Sequence, residues 1–156
     1  MPAPTIEFFF DCSSPWTYLA FHNIQPMATE FGAQIAWRPI LVGGIFNTIN
    51  PSVYEGRANP VPAKARYSGK DLQDWARVAG LKIKMPPSVF PVNSVKAMRM
   101  CLVLAPEGKL VPFARAVFEA YVRNNNSQLQ IPIAVVVTIV AAVGIAVAVS
   151  RGKKVE

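Results

Sequence analysis

Three consecutive phenylalanines, Phe8, Phe9 and Phe10, run directly into Asp11-Cys12-Ser13-Ser14-Pro15-Trp16-Thr17-Tyr18-Leu19-Ala20, and this junction constrains the chain more than any other stretch. The apolar run over residues 5–10 reads as a buried strand. Its sudden end in small polar side chains marks a turn. Pro15 then suits the first turn of a helix, where its missing N–H has no partner to lose. Ser13 or Ser14 can cap that helix. A hydroxyl so placed lies beside free backbone N–H groups and the positive end of the helix dipole, a favourable position for holding an anion such as a thiolate. Leu19, Ala20, Ile24, Met27 and Phe31 keep helical spacing over residues 15–31, and Gly32 supplies a stop. Ala33 to Leu41 reads as a second strand that includes Ile35, Trp37 and Pro39. This order and size match a right-handed βαβ unit, so the fold class is expected to be α/β.

Residues 43–66 interrupt the pattern. Gly43-Gly44, Asn47, Asn50-Pro51, Asn59-Pro60 and Pro62 predict a long loop with at most short helical turns. A helix is expected from Ser68 through Leu72, Trp75, Ala76, Val78 and Ala79 to Gly80, and Pro86-Pro87 and Pro91 punctuate another loop. Asn93-Ser94 offers a cap to a helix carrying Met98, Cys101 and Leu104. A further helix from about Leu110 to Arg123 buries Phe113, Val117 and Tyr121 on one face.

The domain so delimited covers residues 1–123, and a polar linker, residues 124–130, follows it. Residues 131–149 carry no charge and precede a basic tail, residues 150–156, with Arg151, Lys153 and Lys154. A helix of that length would span about 28 Å, close to a bilayer's hydrocarbon thickness. The segment therefore reads as a transmembrane helix, with a buried strand or core helix as the alternative because valine and isoleucine favour strands. With no secretory leader apparent, the globular part is expected in the cytoplasm on a C-terminal anchor, although the basic tail pulls toward the opposite orientation.

Apolar residues make up 52% of the chain and charged residues 16%, which does not describe a disordered sequence. The net charge of +7 is scattered rather than clustered before the tail, so nucleic acid is not an expected partner. Anionic small molecules or a membrane surface make better use of it. The two cysteines, Cys12 and Cys101, lie far apart and His22 is the single histidine, so neither a disulfide framework nor a metal site is expected.

Three blocks together carry a family resemblance. Phe9-Phe10-Asp11-Cys12-Ser13-Ser14-Pro15-Trp16-Thr17-Tyr18-Leu19-Ala20, Trp37-Arg38-Pro39-Ile40-Leu41-Val42-Gly43-Gly44-Ile45-Phe46 and Phe90-Pro91-Val92-Asn93-Ser94-Val95-Lys96-Ala97-Met98-Arg99 occur in the family's order within residues 5–123. The chain resembles the 2-hydroxychromene-2-carboxylate isomerases and the kappa-class glutathione transferases, relatives of the DsbA disulfide oxidoreductases. That resemblance implies a thioredoxin-like βαβ start with a helical insertion. It implies glutathione as cofactor, with Ser14 as the catalytic residue facing the glutathione sulfur. It places Asn50 near a contact to glutathione or substrate, with Asn47 as a rival because the spacing falls one residue short. Asn93 either caps its helix or faces the pocket. Trp16 and Phe46 either wall a site for a small aromatic substrate or pack in the core. The implied reaction is an isomerisation in aromatic-compound degradation, in which the thiolate adds to a conjugated substrate, permits rotation and leaves. A disulfide oxidoreductase is the lesser alternative, because a redox couple needs a cysteine three positions after Cys12 and Pro15 stands there. Cys12 accordingly reads as a small buried hydrophobe.

The second half of the family's fold finds no counterpart after Tyr121. Two strands alone make a poor, incomplete sheet. A partner chain or homodimer would have to complete it, or Ile133 to Val149 would supply replacement strands. A catalytically inactive, membrane-anchored remnant serving as an interaction module is the second functional expectation.

Overall fold

β1 (Thr5–Phe10) pairs in parallel with β2 (Gln34–Pro39), Thr5 opposite Gln34 and Phe10 opposite Pro39, in a computed structural model that describes residues 2–87, 90 and 92–123. The crossover between them is helix α1 (Pro15–Glu30). Side chains alternate along a strand. Phe8 and Phe10 therefore turn toward the helices, while Phe9 on the opposite face stays 58% exposed. Glu7 and Arg38 also lie outside and form an exposed ion pair at 2.7 Å, which contributes well under about 1 kcal/mol.

α1 begins where the sequence indicates. Pro15 opens it, and the Ser14 side chain accepts the Thr17 N–H at 3.2 Å. Pro26 lies inside the helix without ending it. That residue is exposed, so the missing donor falls on the water-facing side. Gly32 then terminates the helix at φ 61°, a left-handed conformation that glycine adopts without a Cβ penalty.

The segment expected as a loop over 43–66 is instead mostly helical. It forms α2 (Val42–Thr48), α3 (Ser52–Ala58) and the start of α4 (Pro62–Val78). Pro62 is not a breaker there but an opening residue, its φ already suited to the first turn. Gly43 and Gly44 are carried in α2 for a tertiary reason. Leu41 offers no side-chain cap, and the Asp11 carboxylate supplies one from another element by accepting the Val42 N–H at 2.9 Å. α5 (Val95–Leu104) and α6 (Leu110–Phe118) follow as expected. The last helix does not remain α to Arg123. It widens to a π-helix over Glu119–Arg123, where the Lys84 N–H donates to the Val122 carbonyl from outside the helix.

Sheet and helices are joined by an aromatic cluster. Trp37 of β2 lies 5.4 Å from Phe8, 5.9 Å from Phe10 and 5.0 Å from Phe21, centroid to centroid. Phe21 of α1 continues to Phe118 of α6 at 5.2 Å, and Tyr18 stacks on Phe118 at 5.2 Å. Arg115 ties the same two helices, donating to Gln25 Oε1 at 2.9 Å with its guanidinium 5.9 Å from the Phe21 ring. Each such ring buries on the order of 150–250 Å² and favours offset or edge contacts of this kind. The core is therefore centred on the α1–α6 contact beneath the two strands.

Among the described residues no helix is long and apolar enough to cross a membrane. The linker, the membrane-spanning segment expected over 131–149 and the basic tail lie outside the described residues. Phe21→Ala should cost about 3–5 kcal/mol of unfolding free energy, measured by urea denaturation, because it removes the ring shared by β1, β2 and α6. Phe9→Ala, on the exposed face, should cost much less.

Candidate functional site

The turn between β1 and α1 is held by one carboxylate. Asp11 is buried, and its Oδ1 accepts the Ser13 N–H at 2.9 Å while its Oδ2 accepts the Val42 N–H at 2.9 Å. Its backbone carbonyl also accepts the Ser14 N–H at 3.2 Å. One side chain thus fixes both the serine pair and the first turn of α2. Charge-assisted bonds of this type are stronger than neutral ones, and removing the acceptor strands buried donors.

Between these two elements opens a cavity of about 570 Å³. Ser13, Ser14 and Trp16 line one side, and Val42, Gly43, Gly44 and Phe46 of α2 another. Tyr54 and Arg57 of α3, with Phe90, Asn93 and Ser94, complete the wall. A 300–1,000 Å³ concavity with a mainly apolar lining and few polar groups suits a small organic ligand. The Ser14 hydroxyl stands at the N-terminus of α1 and accepts from Thr17, so its own proton remains to be donated. No acidic residue occupies the first turn of α1 to compete for the positive helix end. Among the described residues, Asp11 is the one acidic residue in the lining, and each of its oxygens accepts an amide.

The expected site residues fall into two groups. Ser14, Trp16, Phe46 and Asn93 all line the cavity. Asn93 also caps, its Oδ1 accepting the Val95 N–H at 3.1 Å, so its two expected roles coexist. Asn50 and its rival Asn47 do not line the cavity. α2 carries the chain past the opening, and Asn50 sits exposed beyond it with Oδ1 accepting from Ser52 Oγ at 2.5 Å. Three contributors escaped the sequence reading: Asp11, Tyr54 and Arg57. The i, i+3 spacing of Tyr54 and Arg57 on one helix face is the available signal, masked in the sequence by the glycines and prolines of 43–66.

Cys12 points away from this cavity. It is buried, its N–H meets the Met98 sulfur at 3.4 Å, and it lines a minor pocket with Ala97, Val117 and Tyr121. Burial pushes its thiol well above the ordinary cysteine range, and a hydrogen bond with Cys101 adds to the shift. Two cysteines far apart in sequence thus meet in the core. Neither is an accessible nucleophile.

A parallel strand pair crossed by a serine-capped helix, with a helical insertion covering one face, defines a thioredoxin-like protein. The model of the DSBA-like thioredoxin domain matches residues 5–153, and the chain belongs to that family. It is 28% identical over 127 residues to glutathione S-transferase kappa 1 of Caenorhabditis elegans, covering 77% of this chain and 53% of that protein. It is 30% identical over 91 residues to 2-hydroxychromene-2-carboxylate isomerase of Pseudomonas putida, covering 56% of this chain and 40% of that one. A solved structure of a 2-hydroxychromene-2-carboxylate isomerase superposes with a TM-score of 0.69 at 20% identity, over 91% of this chain and 66% of the other, which shows a shared fold. The chain spans about half the length of the curated relatives it matches, or less.

Asp11→Ala should lower unfolding free energy by about 2 kcal/mol or more, read from urea denaturation, and should loosen both cavity walls. In the native protein at neutral pH, maleimide should label neither Cys12 nor Cys101, and both should react once urea unfolds the chain. Mass spectrometry of the labelled protein checks this.

Proposed function

We propose that the chain binds glutathione in this cavity and uses its thiolate to isomerise a small conjugated aromatic substrate, as the names of its relatives suggest for the family. The observation that carries the reading is the placement of Ser14. Its hydroxyl lies at the mouth of α1, held by Thr17 and exposed to a cavity large enough for an organic ligand. A donor at a helix N-terminus lowers the pKa of a nearby thiol and stabilises the thiolate. The nucleophile then comes from the cofactor, consistent with the sealed cysteines. Trp16 and Phe46 supply flat apolar walls for an aromatic substrate. The thiolate adds to the conjugated bond, the former double bond turns, and elimination of the sulfur restores conjugation; Ser14 stabilises the sulfur anion before addition and after departure.

Calorimetric titration of the full chain with glutathione tests the reading, and absence of binding at millimolar ligand overturns it. Where glutathione binds, Ser14→Ala should leave affinity nearly intact while turnover falls on the order of a hundredfold, the usual cost of losing one donor to a developing anion. The ultraviolet absorbance of the bound thiolate should fall with it. The same variant loses about 1 kcal/mol of helix capping, so unfolding curves must show that it remains folded.

A further inference from the structure

Among the described residues, Arg57 is the one cation in the cavity lining. Its guanidinium carbon lies 5.3 Å from the Phe90 ring centroid and 5.8 Å from those of Phe46 and Tyr54. The ion pairs among the described residues belong to Arg38, Lys70, Arg77 and Lys109, so Arg57 has no carboxylate partner there. The rings attract its charge and restrict its plane. They leave its forked N–H donors available, and that fork matches a carboxylate in bidentate fashion. Asp11, the acidic residue of the same lining, spends its oxygens on the Ser13 and Val42 amides, and the ion pairs among the described residues do not join it to Arg57.

We infer that Arg57 is the specificity residue that reads a carboxylate on the substrate, whose planar apolar body lies among Trp16, Phe46 and Phe90. This rests on taking the cavity as the substrate site. The chemistry favours a carboxylate over a polyphosphate, because the described lining provides a single cation amid apolar surface. Three rings hold that cation in place before any ligand arrives, which cuts the ordering cost of binding. Glutathione also carries carboxylates, so the two sources must be separated by experiment.

The probes are cinnamate and its uncharged analogue cinnamamide, titrated into the full chain without glutathione, with glutathione titrated separately. Wild-type protein should prefer cinnamate, and added salt should erode that preference. Arg57→Leu should weaken cinnamate about tenfold or more, bring it level with cinnamamide and leave glutathione affinity unchanged. Arg57→Lys should keep part of the preference, having the charge without the fork. Retention of the full preference in Arg57→Leu overturns the proposal. So does loss of glutathione binding with cinnamate unaffected, which would give Arg57 to the tripeptide instead. Failure of wild-type protein to distinguish the two probes overturns it as well. Cinnamate discrimination that depends on Arg57 in a chain that binds no glutathione would support this inference and remove the cofactor reading alone.

Discussion

The carboxylate of Asp11 holds the site together. It lies at the end of β1, buried, and reaches amides on two different elements. Through Ser13 it shapes the turn that delivers Ser14 to the mouth of α1. Through Val42 it caps a helix that has no local cap and contains two glycines. A glycine-bearing helix of seven residues is not stable on sequence alone. The cavity exists because that helix stands opposite the serine turn, and the turn and helix share one anchor. Substitution at Asp11 would therefore act on stability and site geometry together.

The aromatic cluster explains how the two strands among the described residues can be held. Isolated strand pairs are marginal in water. Here Trp37 bridges the inner faces of both strands to Phe21, and Phe21 passes the contact to Phe118 on α6. α6 and the π-helical extension thus support the underside of the sheet, and buried Tyr121 and Val122 extend that support. The Lys84–Val122 hydrogen bond then ties the extension to the segment that leads to Met85 and Phe90 in the cavity wall. Core and site are continuous on this side.

Much of this was legible in the sequence where local signals agreed. Pro15 behind a serine pair, the spacing of Leu19 through Phe31, and Gly32 all point to one helix, and the structure builds it. The same junction singled out Ser14, which does face a cavity. Legibility failed where a distant residue decided the outcome. Gly43-Gly44 reads as loop because the cap of its helix, Asp11, is thirty-one residues away in sequence. In a stretch that reads as irregular, no periodicity aligns Tyr54 with Arg57 on one helical face. Asn50 differs: spacing along the chain puts it near the site, and the intervening helix carries it outside the opening. The meeting of Cys12 with Cys101 is a tertiary contact that no local pattern encodes.

The three tryptophans of the chain occupy unlike surroundings. Trp37 is wedged among Phe8, Phe10 and Phe21, Trp16 stands 42% exposed at the cavity, and Trp75 is 53% exposed on α4. Their intrinsic fluorescence consequently separates by origin: Trp37 emits from a partly buried aromatic cluster that exists only in the native state, and Trp16 emits from the rim that a ligand would cover. With Trp75 silenced by phenylalanine, the molecule carries two built-in optical reporters, one for integrity and one for occupancy, and needs no attached dye.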